Sequence, residues 1–173
     1  MFKCFYPQRT AQSAYTVDYA EFYRQGFRGI IFDIDNTLVE HNAPANEAAE
    51  QLVKGLKEMG FGVCVVSNNK EERVKSFCEV IGAEYVFKAR KPKSEGYQKA
   101  MTIMNTDTTD TFAVGDQIFT DTWGANRAGV CSVLVKQLGK KEEIQIILKR
   151  RLEKPILWFY RRKCKKEGIK PNL

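Results

Sequence analysis

Apolar and polar positions along this chain follow two different periods. Five short runs of aliphatic, β-branched and aromatic residues predict strands at residues 28–34, 61–66, 84–87, 111–115 and 131–135. Positions with helical spacing lie before and between these runs and predict helices at about 18–25, 45–60, 70–82, 93–104 and 120–128. Because strands and helices alternate, the pattern predicts an α/β fold with a doubly wound, five-stranded parallel sheet.

Length and composition indicate one domain with two flanking segments. A chain of 173 residues with 43% hydrophobic content is long enough for one α/β core. We expect residues 1–17 to form an extended arm, 18–139 the domain, and 140–173 a separate segment. Five scattered cysteines without CxxC spacing favour a reducing compartment, and no apolar stretch reaches the roughly 18 residues that span a bilayer. The expected protein is soluble or bound at a membrane surface.

The C-terminal segment is strongly basic. Residues 140–173 hold 12 Lys/Arg against 4 Asp/Glu, a net charge of +8, whereas the other 139 residues hold 16 against 17. Such a segment either binds a polyanion, such as an anionic membrane or a nucleic acid, or forms a solvated helical face.

Apolar residues accompany these charges. Helical spacing places four on one face: Ile144, Ile147, Leu148 and Leu152. Pro155 is predicted to begin a second short helix, and residues 156–160 read ILWFY. Aromatic residues beside basic ones suit an anionic phospholipid surface, and packing on the domain is the alternative.

Polar side chains follow four of the predicted strands. The segments are Asp33-Ile34-Asp35-Asn36-Thr37, Ser67-Asn68-Asn69, Lys88-Ala89-Arg90-Lys91 and Gly115-Asp116-Gln117. In open α/β sheets the ligand lies at the carboxyl ends of the strands, so these segments are expected to form one site.

The residue types at this edge suit phosphoryl transfer. Asp33 and Asp35 repel each other unless a cation or proton lies between them, and Asp33 with Asp116 is suited to hold Mg²⁺. Asp33 is the candidate nucleophile, forming an aspartyl-phosphate, and Asp35 the candidate acid and base. Ser67, Asn68 and Lys91 are expected to meet the charge of the phosphoryl oxygens.

Four motifs in this order resemble the haloacid-dehalogenase superfamily: DIDNTL at 33–38, Ser67, Lys91 and GDQIFTD at 115–121. The resemblance implies the same nucleophile and acid/base, with phosphate bound by the serine and the lysine. It also implies that Mg²⁺ is positioned by Asp116, by the backbone carbonyl of Asp35 and, in a supporting role, by Asp121. Asn36 and Thr37 are expected to order the nucleophile loop through their side chains.

The spacing of the motifs leaves no room for a cap domain over the site. Only 33 residues separate Asp33 from Ser67, and 23 separate Ser67 from Lys91. An open site admits a phosphate that is carried on a lipid, a protein or a nucleic acid.

Longer phrases, including GIIFDIDNTLVE, FKARKP and VGDQIFTDTWGANRAG, resemble the YqeG family of type IIIA haloacid-dehalogenase phosphatases. That family is related to mitochondrial phosphatidylglycerophosphate phosphatases. The resemblance implies conversion of phosphatidylglycerophosphate to phosphatidylglycerol by a cytoplasmic enzyme at the inner face of the membrane.

Two other functions stay open at this point. One is a phosphatase of a soluble metabolite, nucleotide or phosphoprotein, and the other is an RNA- or protein-binding module on the same fold. The intact motif set favours an enzyme. Arg90 is a candidate ligand for a second phosphate of the substrate, whereas Arg73 is interpreted as a helix ion-pair residue. His41, Trp123 and the oligomeric state receive no assignment.

Overall fold

The computed structural model describes residues 3–139, 144–169 and 171, and it describes the backbone alone at 144–150. Six parallel strands form one open sheet in the order β1-β6-β5-β2-β3-β4. The strands are β1 (Arg9–Ala11), β2 (Gly29–Phe32), β3 (Gly62–Val66), β4 (Glu84–Val86), β5 (Thr111–Gly115) and β6 (Cys131–Val135). The predicted α/β class and parallel, doubly wound sheet are confirmed.

In the part of the chain that the structure describes, six α-helices connect or follow these strands. They are α1 (Tyr19–Arg24), α2 (Glu47–Glu58), α3 (Glu71–Ile81), α4 (Glu95–Met104), α5 (Trp123–Ala128) and α6 (Ile144–Lys166). A π-helical turn, Ile118–Thr122, precedes α5, and short 3₁₀ turns lie at Lys3–Phe5 and Ala14–Thr16. Asn46 caps α2 through its side chain, and Gly82 ends α3 at a φ of 67°.

The helices cover both faces of the sheet. Ile30 and Phe32 of β2 pack with residues of α1, α2 and α3, whereas Ile31 packs on the other face with residues of α4 and α5. This alternation follows from the two-residue period of a strand. Because β2, β5 and most of β6 are buried on both faces, their sequences are almost continuously apolar.

The predicted number of strands is wrong by one, because the arm contributes β1. Arg9 aligns with Val133 and Ala11 with Val135 in a parallel ladder. Gln8 fixes this pairing, since its backbone N–H donates to the Ser132 carbonyl at 3.1 Å and its side chain accepts from the Ser132 backbone N–H at 2.8 Å. A three-residue strand held by such distant partners leaves little local signal in the sequence.

The prediction that Pro155 begins a second helix is also wrong. α6 runs through Pro155 as one helix. Its buried face consists of Glu153, Ile156, Tyr160 and Cys164. These residues recur every three or four positions, so packing along one face supports the helix across the proline. Of the four residues predicted to form one apolar face, Leu152 is 58% exposed and does not lie on the packed face. The side chains of the other three, Ile144, Ile147 and Leu148, lie outside the described part of the structure.

Among the described helices, none combines the length and the apolar character that crossing a bilayer requires.

Candidate active site

The site lies where the strand order reverses. β2 and β5 are neighbours at the centre of the sheet, and the chain proceeds from β2 toward β4 on one side and from β5 toward β6 on the other. Asp33 follows β2 and Asp116 follows β5, so both carboxylates meet at this switch point. Asp33 is fixed there by its backbone N–H, which donates to the Val114 carbonyl at 3.1 Å. Parallel α/β sheets bind ligands at this position.

Lys91 joins two of the carboxylates. Its Nζ lies 2.5 Å from Asp33 Oδ1 and 2.7 Å from Asp121 Oδ1, and its side chain is 4% exposed. Burial disfavours the ammonium, but the adjacent Asp121 and Asp33 carboxylates outweigh it and raise the pKa of Lys91 above its ordinary value. Lys91 is therefore a charged hydrogen-bond donor beside Asp33, the candidate nucleophile.

Asp33 lies in an environment with an excess of negative charge. Burial, together with the Asp121 and Asp35 charges, raises the pKa of Asp33 to about 7 against the lowering effect of Lys91. One ammonium does not balance the neighbouring carboxylates. A further cation at this position would stabilise the ionised form of Asp33.

Three carboxylates are arranged to hold that cation. Asp33, Asp116 and Asp121 each offer an oxygen, and these oxygens lie within 4.8 Å of one another. An all-oxygen set of this kind fits a hard divalent ion such as Mg²⁺. Thr37 donates its hydroxyl hydrogen bond to Asp116 Oδ1 at 3.3 Å, which orients that carboxylate.

Asp121 belongs to this cluster more directly than its supporting role in the sequence analysis implied. The π-helical turn brings it back to the strand end, where the Gln117 backbone N–H donates to Asp121 Oδ2 at 3.1 Å. A Cβ atom at Gly115 would overlap the Asp121 side chain, so the glycine of the GDQIFTD motif provides the necessary space. π-Helical turns of this kind frequently lie at functional sites.

Asp35 has different partners from Asp33. Its carboxylate accepts hydrogen bonds from Asn69 Nδ2 at 2.6 Å and from the Asn42 backbone N–H at 2.8 Å. Arg73 Nη2 of α3 lies 3.3 Å from Asp35 Oδ1 and also donates to the Ala43 carbonyl at 2.5 Å. The candidate acid/base is thus oriented by three groups. The interpretation of Arg73 as a residue that pairs only on its helix missed this contact.

A tight turn separates the two aspartates from α2. Asn36 has a φ of 61°, a left-handed conformation that asparagine tolerates, and its backbone N–H donates to the Val39 carbonyl at 2.6 Å. Leu38 donates its backbone N–H to the Ile34 carbonyl at 2.9 Å, and Thr37 is fully buried. This turn fixes the direction of the nucleophile loop.

Ser67 and Asn68 follow β3. Ser67 is buried, and its Oγ accepts a hydrogen bond from the Asn69 backbone N–H at 3.2 Å. Asn68 pairs with the main chain of Lys91: its Oδ1 accepts from the Lys91 N–H at 2.7 Å, and its Nδ2 donates to the Lys91 carbonyl at 3.4 Å. The side chain of Asn68 therefore positions Lys91. Phosphate binding by Ser67 and Asn68 stays a prediction.

Glu153 of α6 is a residue that sequence reasoning missed. Its Oε1 accepts hydrogen bonds from the backbone N–H groups of Ile118 at 2.8 Å and Phe119 at 3.4 Å, and the residue is 4% exposed. These N–H groups begin the π-helical turn that carries Asp121. The only sequence signal was an acidic residue within a strongly basic segment.

The chain between the motifs forms only parts of the sheet and its helices. The residues between Asp33 and Ser67 form the nucleophile turn, α2 and β3, and those between Ser67 and Lys91 form α3, β4 and short loops. None of this described chain is left for a cap domain.

Comparison with known proteins gives consistent results. The haloacid dehalogenase-like hydrolase family matches residues 40–129, more than half of the chain. The probable phosphatase YqeG of Bacillus subtilis is 34% identical over 164 residues, which cover 93% of this chain and 94% of the relative.

Two further relatives are more distant. The chloroplastic/mitochondrial phosphatidylglycerophosphate phosphatase 1 of Arabidopsis thaliana is 28% identical over 169 residues, 90% of this chain but 47% of that protein. A crystal structure of an uncharacterised protein from Listeria monocytogenes serotype 4b has a TM-score of 0.52 at 17% identity, covering 68% of this chain and 86% of the other, which shows a shared fold. The extensive match to YqeG and the family match together show that the chain belongs to the haloacid dehalogenase-like hydrolases, in the YqeG family of phosphatases.

Proposed function

We propose that this protein is a Mg²⁺-dependent phosphomonoester hydrolase that acts through an aspartyl-phosphate on Asp33. The observation that carries the proposal is the cluster of Asp33, Asp116 and Asp121 with the Lys91 ammonium at the switch point of the sheet. The three carboxylates and the Asp35 backbone carbonyl would hold Mg²⁺, which would supply positive charge to the phosphoryl oxygens and suppress protonation of Asp33.

In the first step a carboxylate oxygen of Asp33 attacks phosphorus, and the bond from phosphorus to the alcohol oxygen breaks. Asp35 donates its proton to that departing oxygen. Lys91 and the Ser67 hydroxyl donate hydrogen bonds to the phosphoryl oxygens. The products are the free alcohol and phosphorylated Asp33.

In the second step Asp35, now ionised, removes a proton from water. The water oxygen attacks phosphorus, the bond to Asp33 breaks, and inorganic phosphate leaves. Asn69 and Arg73 keep the Asp35 carboxylate in one orientation during both proton transfers. The enzyme returns to its starting state.

The substrate proposed for this chemistry is phosphatidylglycerophosphate, with phosphatidylglycerol as the product. The Arabidopsis relative is named a phosphatidylglycerophosphate phosphatase, and the site of this chain has no cap to exclude a lipid headgroup. The outer side of α6 exposes Trp158 and Phe159 near Arg161 and Arg162. Aromatic and basic residues in this arrangement suit an anionic phospholipid surface, which supports the proposal that the enzyme acts at the cytoplasmic side of the membrane.

The decisive experiment is an assay of phosphate release from phosphatidylglycerophosphate in mixed micelles, with and without Mg²⁺, beside a panel of soluble phosphomonoesters. We expect Mg²⁺-dependent turnover with preference for the lipid. Asp33→Asn is the blank, because removal of a nucleophile lowers kcat by about 10⁴-fold or more. Better turnover of a soluble ester would overturn the lipid assignment, and full activity in Asp33→Asn would overturn the mechanism.

A further inference from the structure

A large groove lies beside the candidate site, along β4 and α4. Its volume is about 1160 Å³. Its apolar lining includes Tyr85, Phe87 and Ile103. Four of its charged lining residues are basic, namely Lys88, Arg90, Lys93 and Lys99, and one, Glu95, is acidic. The groove therefore combines an apolar surface with a net positive charge, and its charge is complementary to an anionic amphiphile.

The segment that carries Lys91 lies between the groove and the candidate site. Ala89 and Lys91 of this segment are buried, whereas Lys88, Arg90 and Lys93 are exposed. The inward side chain thus contacts Asp33 while its neighbours along the chain line the groove. Asn68 joins the two regions, because it lines the groove and also accepts the hydrogen bond of the Lys91 backbone N–H.

The backbone holds these basic residues in an unusual conformation. Lys88 has a φ of 44° and Arg90 a φ of 55°, both in the left-handed region that residues other than glycine and asparagine rarely adopt. Hydrogen bonds to the loop that follows β3 fix the segment. The Lys88 N–H donates to the Asn69 carbonyl and the Ala89 N–H to the Ser67 carbonyl, each at 3.0 Å. Charged residues with a left-handed backbone conformation beside a candidate active site point to a functional constraint on this segment.

We infer that this groove binds the part of the substrate beyond the scissile phosphate, namely an apolar body that carries a second anionic group of the phosphodiester type. The inference rests on the proposed function and deepens it, because it assigns substrate selection to residues outside the four motifs. Arg90 and Lys88 bind the second anionic group next to the reacting phosphate, and the apolar lining takes the adjoining chain.

The test compares two phosphomonoesters of glycerol that share the reacting group. One is phosphatidylglycerophosphate with short, soluble acyl chains, and the other is glycerol 3-phosphate, which lacks the phosphodiester and the chains. The test variant is Lys88→Asn/Arg90→Asn, because asparagine removes the charge and tolerates the left-handed backbone. We expect the ratio of kcat/KM for the diester-containing substrate to that for glycerol 3-phosphate to fall at least about 10-fold, mostly through KM.

The matched control is Lys54→Gln/Lys75→Gln, which removes the same charge from α2 and α3 on the opposite face of the sheet. The control is expected to keep the wild-type ratio. An equal fall in the control would show long-range electrostatic attraction and overturn the inference. Lys99→Gln on α4 provides a second variant with an ordinary helical backbone, should the double variant fail to fold, and it is expected to lower the ratio by a smaller factor.

The outcomes separate this inference from the proposed function. An unchanged ratio in folded Lys88→Asn/Arg90→Asn and in Lys99→Gln would overturn the groove assignment, while Mg²⁺-dependent turnover of either ester would leave the phosphatase proposal intact. Absence of turnover of every phosphomonoester by the wild-type protein would overturn the proposed function itself. If the groove instead binds an extended peptide along the free edge of β4, an acidic peptide will inhibit both esters equally, which also contradicts the inference.

Discussion

Asp33 and Asp35 are two residues apart, yet their carboxylates lie in opposite electrostatic environments. Asp33 is surrounded by other carboxylates and one ammonium, and burial raises its pKa to about 7. Asp35 instead receives hydrogen bonds from an amide, a backbone N–H and a guanidinium. Two carboxylates in different surroundings can perform different steps of one reaction.

The raised pKa of Asp33 predicts a pH-dependent stability of the metal-free protein. The ordinary pKa of this group is 3.8, and the folded value is about 7, so the folded state binds the proton more tightly than the unfolded state. Its stabilising contribution is complete below about pH 4 and is lost as the pH rises through about 7. We expect the Tm of the wild type to fall relative to that of Asp33→Asn over this range, measured by thermal unfolding in a chelator. Parallel curves for the two proteins would contradict the prediction.

The proposed role of Asp35 as acid and base predicts that its loss affects the two chemical steps differently. p-Nitrophenolate leaves without a proton, so Asp35→Asn should still transfer the phosphoryl group from p-nitrophenyl phosphate to Asp33 but should hydrolyse the intermediate about 10²-fold or more slowly. Rapid mixing is expected to show a burst of one p-nitrophenolate per enzyme, with the phosphorylated protein detected by mass spectrometry. Asp33→Asn serves as the control without a burst. Wild-type steady-state turnover in Asp35→Asn would exclude this role.

The sequence was sufficient to predict which motif residues meet, but not all of their partners. Asp33, Lys91 and Asp116 follow strands whose carboxyl ends must share one edge, so their proximity followed from the topology. Arg73 reaches Asp35 only because α3 packs in one particular orientation beside the nucleophile turn. A helical arginine has no local signal for such a contact.

At the scale of elements, α6 is connected to the π-helical turn that carries Asp121 through a buried carboxylate. Glu153 accepts hydrogen bonds from the first N–H groups of the π-helical turn, and Ile156 packs with Ile118 of the same turn. The basic segment is therefore part of the site's support.

This contact predicts that Glu153→Ala weakens metal activation, because the turn that carries Asp121 loses a hydrogen-bond acceptor. Residues that orient metal ligands typically contribute 10–100-fold, so we expect the Mg²⁺ concentration for half-maximal activity to rise about 10-fold. Glu153→Gln, which keeps an acceptor oxygen, should restore most of the affinity. Lys154→Ala is the control on the exposed side of α6. An unchanged Mg²⁺ requirement in folded Glu153→Ala would show that the contact does not position the turn.

The strands and helices also show which kinds of sequence pattern predict secondary structure correctly. The five predicted strands were mostly apolar runs of four to seven residues, and all five are present. β1 escaped prediction because Arg9–Ala11 is short and largely polar, and only its pairing with β6 makes it a strand. The continuation of α6 through Pro155 was not predicted, because proline by itself disfavours the interior of a helix. Tertiary packing of Ile156 and Tyr160 stabilises the helix there, and a local sequence pattern does not reveal such packing.

At the scale of the whole molecule, α6 has one face for the domain and another for solvent. Trp158 is 54% exposed and Phe159 is 44% exposed, while Ile156 before them and Tyr160 after them in the sequence are buried. The two alternatives of the sequence analysis, packing and surface binding, are thus compatible in a single helix.

We therefore predict that Trp158→Ser/Phe159→Ser lowers binding to anionic phospholipid vesicles about 10-fold, measured by co-sedimentation, since each ring loses its contact with the lipid interface. Because both side chains are exposed, the free energy of unfolding should change by less than about 0.5 kcal/mol. The control, Met59→Ser/Val80→Ser, removes an exposed apolar residue at the C-terminal end of α2 and another on α3. Equal vesicle binding by the wild type and the Trp158/Phe159 variant would contradict the surface-binding role.

The position of β1 also determines when the fold can be completed. Gln8, which begins the pairing of β1, bonds to Ser132, a residue 124 positions later in the chain. At a synthesis rate of about 5–20 residues per second, the arm waits roughly 6–25 seconds for its partner strand to emerge from the ribosome. During that interval the aromatic rings of Phe5 and Tyr6 lack the Phe119 and Tyr160 rings on which they finally pack. The arm is thus made well before the strand and the rings on which it packs, so it is among the last described parts of the chain to fold, and its apolar rings stay exposed in the nascent chain until then.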